Sequence, residues 1–111
     1  MKNITLKQLR YFEALARHRH FGRAAADCAI SQPALSMQIK ELEELLGSPL
    51  LEKNARPLRL TAFGEEFSNQ SSDILRAVKG LGEFAQAARS RPIGTLRIGV
   101  IPTVALMCFP L

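Results

Sequence analysis

The segment from Ser31 to Gly47 constrains this chain more than any other. Ser31 is a good helix N-cap, and Pro33 falls in the first turn, where a missing N–H has no partner to lose. Gly47 is a strong helix stop. Between them Leu35, Ile39, Leu42 and Leu46 recur at i, i+4, i+7 and i+11, the spacing of one helical face. A helix over Gln32–Leu46 is expected, with that stripe in a core. At about 100° per residue, Gln32, Pro33, Ser36, Met37 and Lys40 fall on roughly the opposite side. That face is polar near its N-terminal end, and Lys40 is its one charge. The acids Glu41, Glu43 and Glu44 come later. Carboxylates suit a helix N-terminus, so the helix's own electrostatics does not explain their absence there. A polyanion docked near that end does.

The flanking segments supply the context. Leu6, Leu9, Phe12 and Leu15, with Ala16 beside them, predict an amphipathic helix over Thr5–Arg17 with Thr5 as its cap. A short helix is expected over Gly22–Ala29, where Ala24, Ala25, Ala26 and Cys28 allow a neighbour to approach closely. Ala29–Ser31 forms a tight turn into the third helix. After Gly47, two short extended segments, Pro49–Glu52 and Leu58–Leu60, flank a turn that carries Lys53, Asn54, Arg56 and Pro57. This predicts a basic hairpin, a wing. Thr61 then caps a long helix to about Ala88, with Glu65 and Glu66 in its early turns. Phe67, Ile74, Leu81 and Ala88 recur at seven, and Ser71, Val78 and Ala85 fill the second seam position. Gly80 and Gly82 each weaken that helix by roughly 1 kcal/mol against alanine, so it needs a partner.

Helix, short helix, turn, amphipathic helix and basic hairpin, in that order, predict a winged helix-turn-helix. The third helix would lie in the major groove. There Gln32 can pair with adenine, Ser36 with several bases, and Pro33 and Met37 can touch thymine methyls. Lys40 can reach guanine or a phosphate. Lys53 and Arg56 would meet phosphates or the minor groove. Ser31, Arg23 and Thr61 complete the expected contact set.

The charge agrees with such a partner. The net charge is +5, and residues 1–60 hold ten Lys/Arg against six Asp/Glu, whereas residues 61–92 hold four of each. A basic half-chain attracts nucleic acid. Other classes fit poorly. No nucleophile elbow, phosphate loop or paired carboxylates occur, so no enzyme is expected. His18 and His20 lack a third ligand, and loop or phosphate roles are expected for them instead of metal binding. Cys28 and Cys108 form no metal or disulfide pattern, and Cys28 is expected to be a small buried hydrophobe. No signal peptide or membrane span is visible, which points to the cytoplasm. No cofactor is implied.

The chain resembles the N-terminal part of LysR-type transcriptional regulators over about residues 4–100. The residues that carry this are Leu6, Leu9 and Phe12, then Phe21-Gly22-Arg23-Ala24-Ala25. They continue with Ser31-Gln32-Pro33-Ala34-Leu35-Ser36-Met37-Gln38-Ile39, Leu42-Glu43, Leu46-Gly47, Pro49-Leu50-Leu51-Glu52 and Leu60-Thr61 followed by Gly64. The family usually has Phe where Leu51 stands, and often Arg or Thr where Met37 stands. The segments Leu6–Phe21 and Leu50–Glu52 are similar to the peroxide-responsive branch. The redox cysteines of that branch would lie beyond Leu111, and Cys28 and Cys108 do not stand in for them.

The resemblance implies a cytoplasmic regulator that binds double-stranded DNA, usually as a tetramer, with an effector domain that takes a small-molecule or redox inducer. The expected organisation is mainly α. Residues 1–60 form the DNA-binding domain and 61–88 a linker helix that dimerises through Phe67, Ile74, Val78, Leu81 and Ala85. Residues 89–95 are a hinge. Residues 96–111 hold the first strand, within Gly94–Val100, and tail of a truncated α/β effector domain. Two alternatives stay open: a truncated dominant-negative regulator, and a fragment that interacts with other proteins through its long helix.

Overall fold

A computed structural model describes residues 3–90. The expected strand within Gly94–Val100, the effector tail and most of the hinge lie outside these residues. Four helices are described: α1 (Leu6–His18), α2 (Phe21–Asp27), α3 (Gln32–Leu46) and α4 (Ala62–Ser90). None is long and apolar enough to cross a membrane. The chain divides into two units, Met1–Arg76 and Ala77–Leu111.

In the first unit α1 opens with a capping box. Thr5 Oγ1 accepts the Gln8 N–H at 3.1 Å, and Gln8 Oε1 accepts the Thr5 N–H at 2.9 Å. The helix buries Leu9, Phe12, Ala14 and Leu15. Leu6, expected in that stripe, is 44% exposed. Three residues cover about 300° of helix, so a strict three-residue repeat slips by about 60° per step. Over three steps from Leu15, Leu6 reaches the far side.

α2 starts one residue earlier than expected, because His20 caps it by accepting the Arg23 N–H on Nδ1 at 3.0 Å. It ends two residues earlier, where Ala29 takes a positive φ of 58° and the chain turns. Asp27 ties the end of α2 to α1 by bonding Arg17 and His18, each at 3.0 Å. The His18 hydrogen bond, then Arg17, holds its carboxyl below the ordinary range. Cys28 is only partly buried, and desolvation pushes its thiol upward.

α3 has the expected bounds. Ser31 Oγ accepts the Ala34 N–H at 3.2 Å, and Gly47 ends the helix at φ 73°. Leu35, Ile39 and Leu42 are buried, while Leu46 is partly buried at the edge. The core joins Phe12 and Leu15 of α1, Ala24 and Ala25 of α2 and the α3 stripe to Leu50 and Leu60. Each fully buried large side chain there contributes about 1.5–3 kcal/mol.

The first part of α4 closes this core. Phe67 packs on Phe12 with centroids 5.6 Å apart, Phe63 stacks on Phe67 at 5.9 Å, and Ser71 is 1% exposed. Arg19 bonds Glu65 at 3.3 Å. In the second unit the described chain is the continuation of α4. It runs to Ser90, two residues past the expected end, through the start of the expected hinge.

Candidate nucleic-acid interface

The local sequence of α3 turns its N-terminal half outward. Because Leu35, Ile39 and Leu42 are held inward, Gln32, Pro33, Ser36, Met37 and Lys40 are all exposed, Met37 at 61%. The side chains of Gln32, Ser36 and Lys40 make no hydrogen bond or ion pair with the described residues. No acid stands in the first turn of α3. The positive end of the helix dipole therefore reaches the surface uncompensated. A shallow concavity of about 340 Å³, lined by Phe21, Gln32, Pro33 and Ser36, joins the starts of α2 and α3. A larger concavity of about 590 Å³, beside the start of α1, is lined in part by Glu41 and Glu44. That wall repels phosphate.

The basic loop lies between α3 and α4. Two paired strands were expected over Pro49–Glu52 and Leu58–Leu60. Among the described residues there is instead one isolated antiparallel bridge, Leu51 with Leu60. The loop is pinned near its root. The Glu52 N–H reaches Arg59 O at 2.9 Å, Thr61 N–H reaches Leu50 O at 3.0 Å, and Arg59 pairs with Glu52 at 3.0 Å. Pro57 and the turn at Asn54 (φ 55°) remove the regular alternation that a longer ladder needs.

The basic side chains sort into two groups. Arg17, Arg19, Arg59 and Arg76 are ion-paired within the chain. Lys7, Arg10, Lys79 and Arg89 are exposed without an acidic partner among the described residues, and so are Arg23, Lys40, Lys53 and Arg56. The last four are the cations expected from the sequence to meet DNA.

Three expected residues have work inside the chain. Ser31 is the α3 cap, although its side chain remains at the surface. The Thr61 hydroxyl donates to Pro49 O at 2.8 Å and accepts the Gly64 N–H at 2.9 Å, so it positions the start of α4. Phe67, expected in the dimer seam, packs on Phe12 of its own chain. Along the rest of the seam Ile74 is 46% and Leu81 67% exposed, Ala85 is exposed and Val78 is partly buried.

Two residues were missed. Phe84, three positions after Leu81, is 69% exposed; it falls outside the strict heptad that drew attention to its neighbours. Glu43, counted only among the late acids, accepts on Oε2 the N–H groups of Leu50 at 2.7 Å and Leu51 at 3.1 Å. Nothing in local spacing marks a contact seven residues away in a loop.

Comparison with known proteins bears on this geometry. The family model described as bacterial regulatory helix-turn-helix protein, lysR family, matches residues 6–65. The DNA-binding transcriptional dual regulator OxyR of Escherichia coli (strain K12) is 44% identical over 107 residues, covering 96% of this chain and 35% of that protein. A hydrogen peroxide-inducible genes activator of Haemophilus influenzae is 41% identical over 107 residues, covering 96% of this chain and 36% of that protein. The chain thus spans about a third of the length of these curated relatives. Among solved structures, the BenM DNA-binding domain in complex with catB site 1 DNA superposes with a TM-score of 0.77 at 36% identity. It covers 80% of this chain and 99% of that one.

Proposed function

The chain belongs to the LysR family of bacterial regulatory helix-turn-helix proteins, and on that premise we propose that it reads duplex DNA as a symmetric dimer. The family consists of DNA-binding transcription regulators, not enzymes. In the proposed complex α3 enters the major groove by its N-terminal half. Gln32 and Ser36 meet base edges, Pro33 and Met37 meet thymine methyls, and Lys40 meets guanine or phosphate. Arg23, Lys53 and Arg56 neutralise phosphates, with Arg56 within reach of the minor groove. The observation that carries this reading is the exposed, unengaged and acid-free face of α3. The DNA complex of the similar BenM domain supports it.

The finer parts follow from the same premise. Residues 1–60 form the DNA-binding domain and α4 the dimerisation element, through Ile74, Val78, Leu81 and Ala85. Similarity to proteins named for hydrogen peroxide-inducible genes supports placing the chain in the peroxide-responsive branch. A redox inducer then acts through a domain beyond the described residues. The bacterial cytoplasm, where the chromosome lies, is the proposed compartment.

Gln32→Ala tests base reading. It should cost about 1–3 kcal/mol on a selected site and flatten the sequence preference, with little change on random duplex. Equal losses on both duplexes would remove Gln32 from base recognition. Arg56→Ala should lower the slope of log affinity against log salt by about one. If Arg56 enters the minor groove, the loss should also depend on flanking A·T content. Filter-binding titrations across salt concentrations read both, and an unchanged slope and affinity would leave the wing without a role on DNA.

A further inference from the structure

The late acids of α3 have no purpose in base reading, yet one of them is engaged. Glu43 Oε2 accepts the backbone N–H groups of both Leu50 and Leu51, at 2.7 and 3.1 Å. A single carboxylate oxygen thus grips two successive residues at the root of the wing. The same short segment is held from the other side. Thr61 N–H bonds Leu50 O, and the Thr61 hydroxyl bonds Pro49 O. Residues 49–51 are bracketed between the recognition helix and the start of α4. Beyond this bracket the loop is held by the Leu51–Leu60 bridge, the Glu52–Arg59 contacts and the packing of Leu51 and Leu58 on the core. Glu43 is the α3 side chain that ties this loop root to the recognition helix by hydrogen bonds. A carboxylate suits the task, because bonds from N–H groups to an ionised acceptor are roughly twice as strong as neutral ones.

We propose that Glu43 is a positioning residue for DNA recognition: it registers the basic loop against α3, so that the groove-reading and wing contacts engage as one unit. This rests on the reading of α3 and the wing as the two DNA-contacting elements. Glu43 stands next to Glu44 and bonds the chain's own backbone, so no DNA contact is assigned to it. Its effect passes through the backbone of Leu50 and Leu51.

A double-mutant cycle between Glu43 and Arg56 tests it, with a duplex selected from a random pool by the wild-type chain. In the wild-type background Arg56→Ala should weaken binding roughly tenfold at 0.1 M salt, the value of one neutralised phosphate. In the Glu43→Ala background the same change should cost under about twofold, because the loop no longer arrives in register. The Gln32→Ala penalty should survive in that background. Glu43→Gln keeps an oxygen that can accept both N–H groups and should restore the Arg56 effect. Glu43→Asp keeps the charge but loses the reach, and should not. A change that merely loosened the fold would shrink the Gln32 and Arg56 penalties together. Equal Arg56 penalties in both backgrounds overturn the inference and leave the wing reading intact. No Arg56 penalty in the wild-type background overturns the wing reading and this inference with it. If Glu43→Ala does not fold, the Gln and Asp variants decide alone, and the reverse order of rescue overturns the proposal.

Discussion

Gly64→Ala is expected to be the most damaging small substitution in the first unit. Gly64 is buried in the first turns of α4, against the backbone of Leu50. An added Cβ would run into the Leu50 carbonyl oxygen, with the carbonyl carbon and Cα close behind. These are backbone atoms, and they are fixed by Thr61 N–H on one side and Glu43 on the other. No side chain can swing away, so either α4 moves off the core or the bracket opens. Such overpacking costs typically 1–3 kcal/mol and more when backbone must move. Both Thr61 bonds and the Phe12–Phe67 contact lie in the path of that movement. A loss of at least about 3 kcal/mol in urea unfolding is expected. Gly80→Ala is the control: open space surrounds it, and alanine should raise helix stability by about 1 kcal/mol at most. A Gly64→Ala protein as stable as the wild type would mean that α4 does not sit on Leu50 in solution.

Gly64 also shows what the sequence could reveal and what it could not. It was legible as part of a family pattern, Leu60-Thr61 followed by Gly64, but its physical reason is a close approach between segments far apart along the helix-turn order. Features set by local chemistry were mostly legible, the His20 cap of α2 being the exception. The Ser31 cap, the early Pro33, the Gly47 stop and the core stripe fixed the bounds and the faces of α3, because each acts within one or two turns. Leu6 was misread, since a three-residue repeat imitates a helical face for two steps and then drifts off it. The wing was over-read as two strands, because extended segments were visible but the number of ladder bonds they could form was not. Thr61 was legible as the cap of α4, but its bond to Pro49 and the Glu43 contacts were beyond reach for a further reason. An acid late in a helix and a threonine at a helix start look the same whether they face water, DNA or the chain's own backbone. Only the fold shows that Leu50 lies between them.

Placing aspartate at both Ile74 and Leu81 is expected to abolish dimers and most operator binding. Ile74, Leu81 and Phe84 are 46%, 67% and 69% exposed in a continuous helix. Ile74, Val78, Leu81 and Ala85 follow the three- and four-residue steps of an apolar seam, and Phe84 lies at its flank. Burying each large side chain against a second copy would contribute about 1.5–3 kcal/mol, which a lone helix containing Gly80 and Gly82 leaves unrealised. Aspartate would place unpaired carboxylates in that seam at a cost of several kcal/mol. Neither substitution touches the core of the first unit, so the far-UV dichroism of α1–α3 and nonspecific DNA binding should persist. Operator binding should not. A symmetric dimer presents two recognition helices to half-sites about 34–36 Å apart, or a multiple of that. Linking two such contacts commonly multiplies affinity by about 10²–10⁴, and that factor is lost with the dimer. Phe84→Asp alone should weaken the dimer too, which the heptad by itself would not foresee. Light scattering and footprinting read the outcome. A wild-type chain that stays monomeric at roughly tens of micromolar yet protects both half-sites would place dimerisation outside α4.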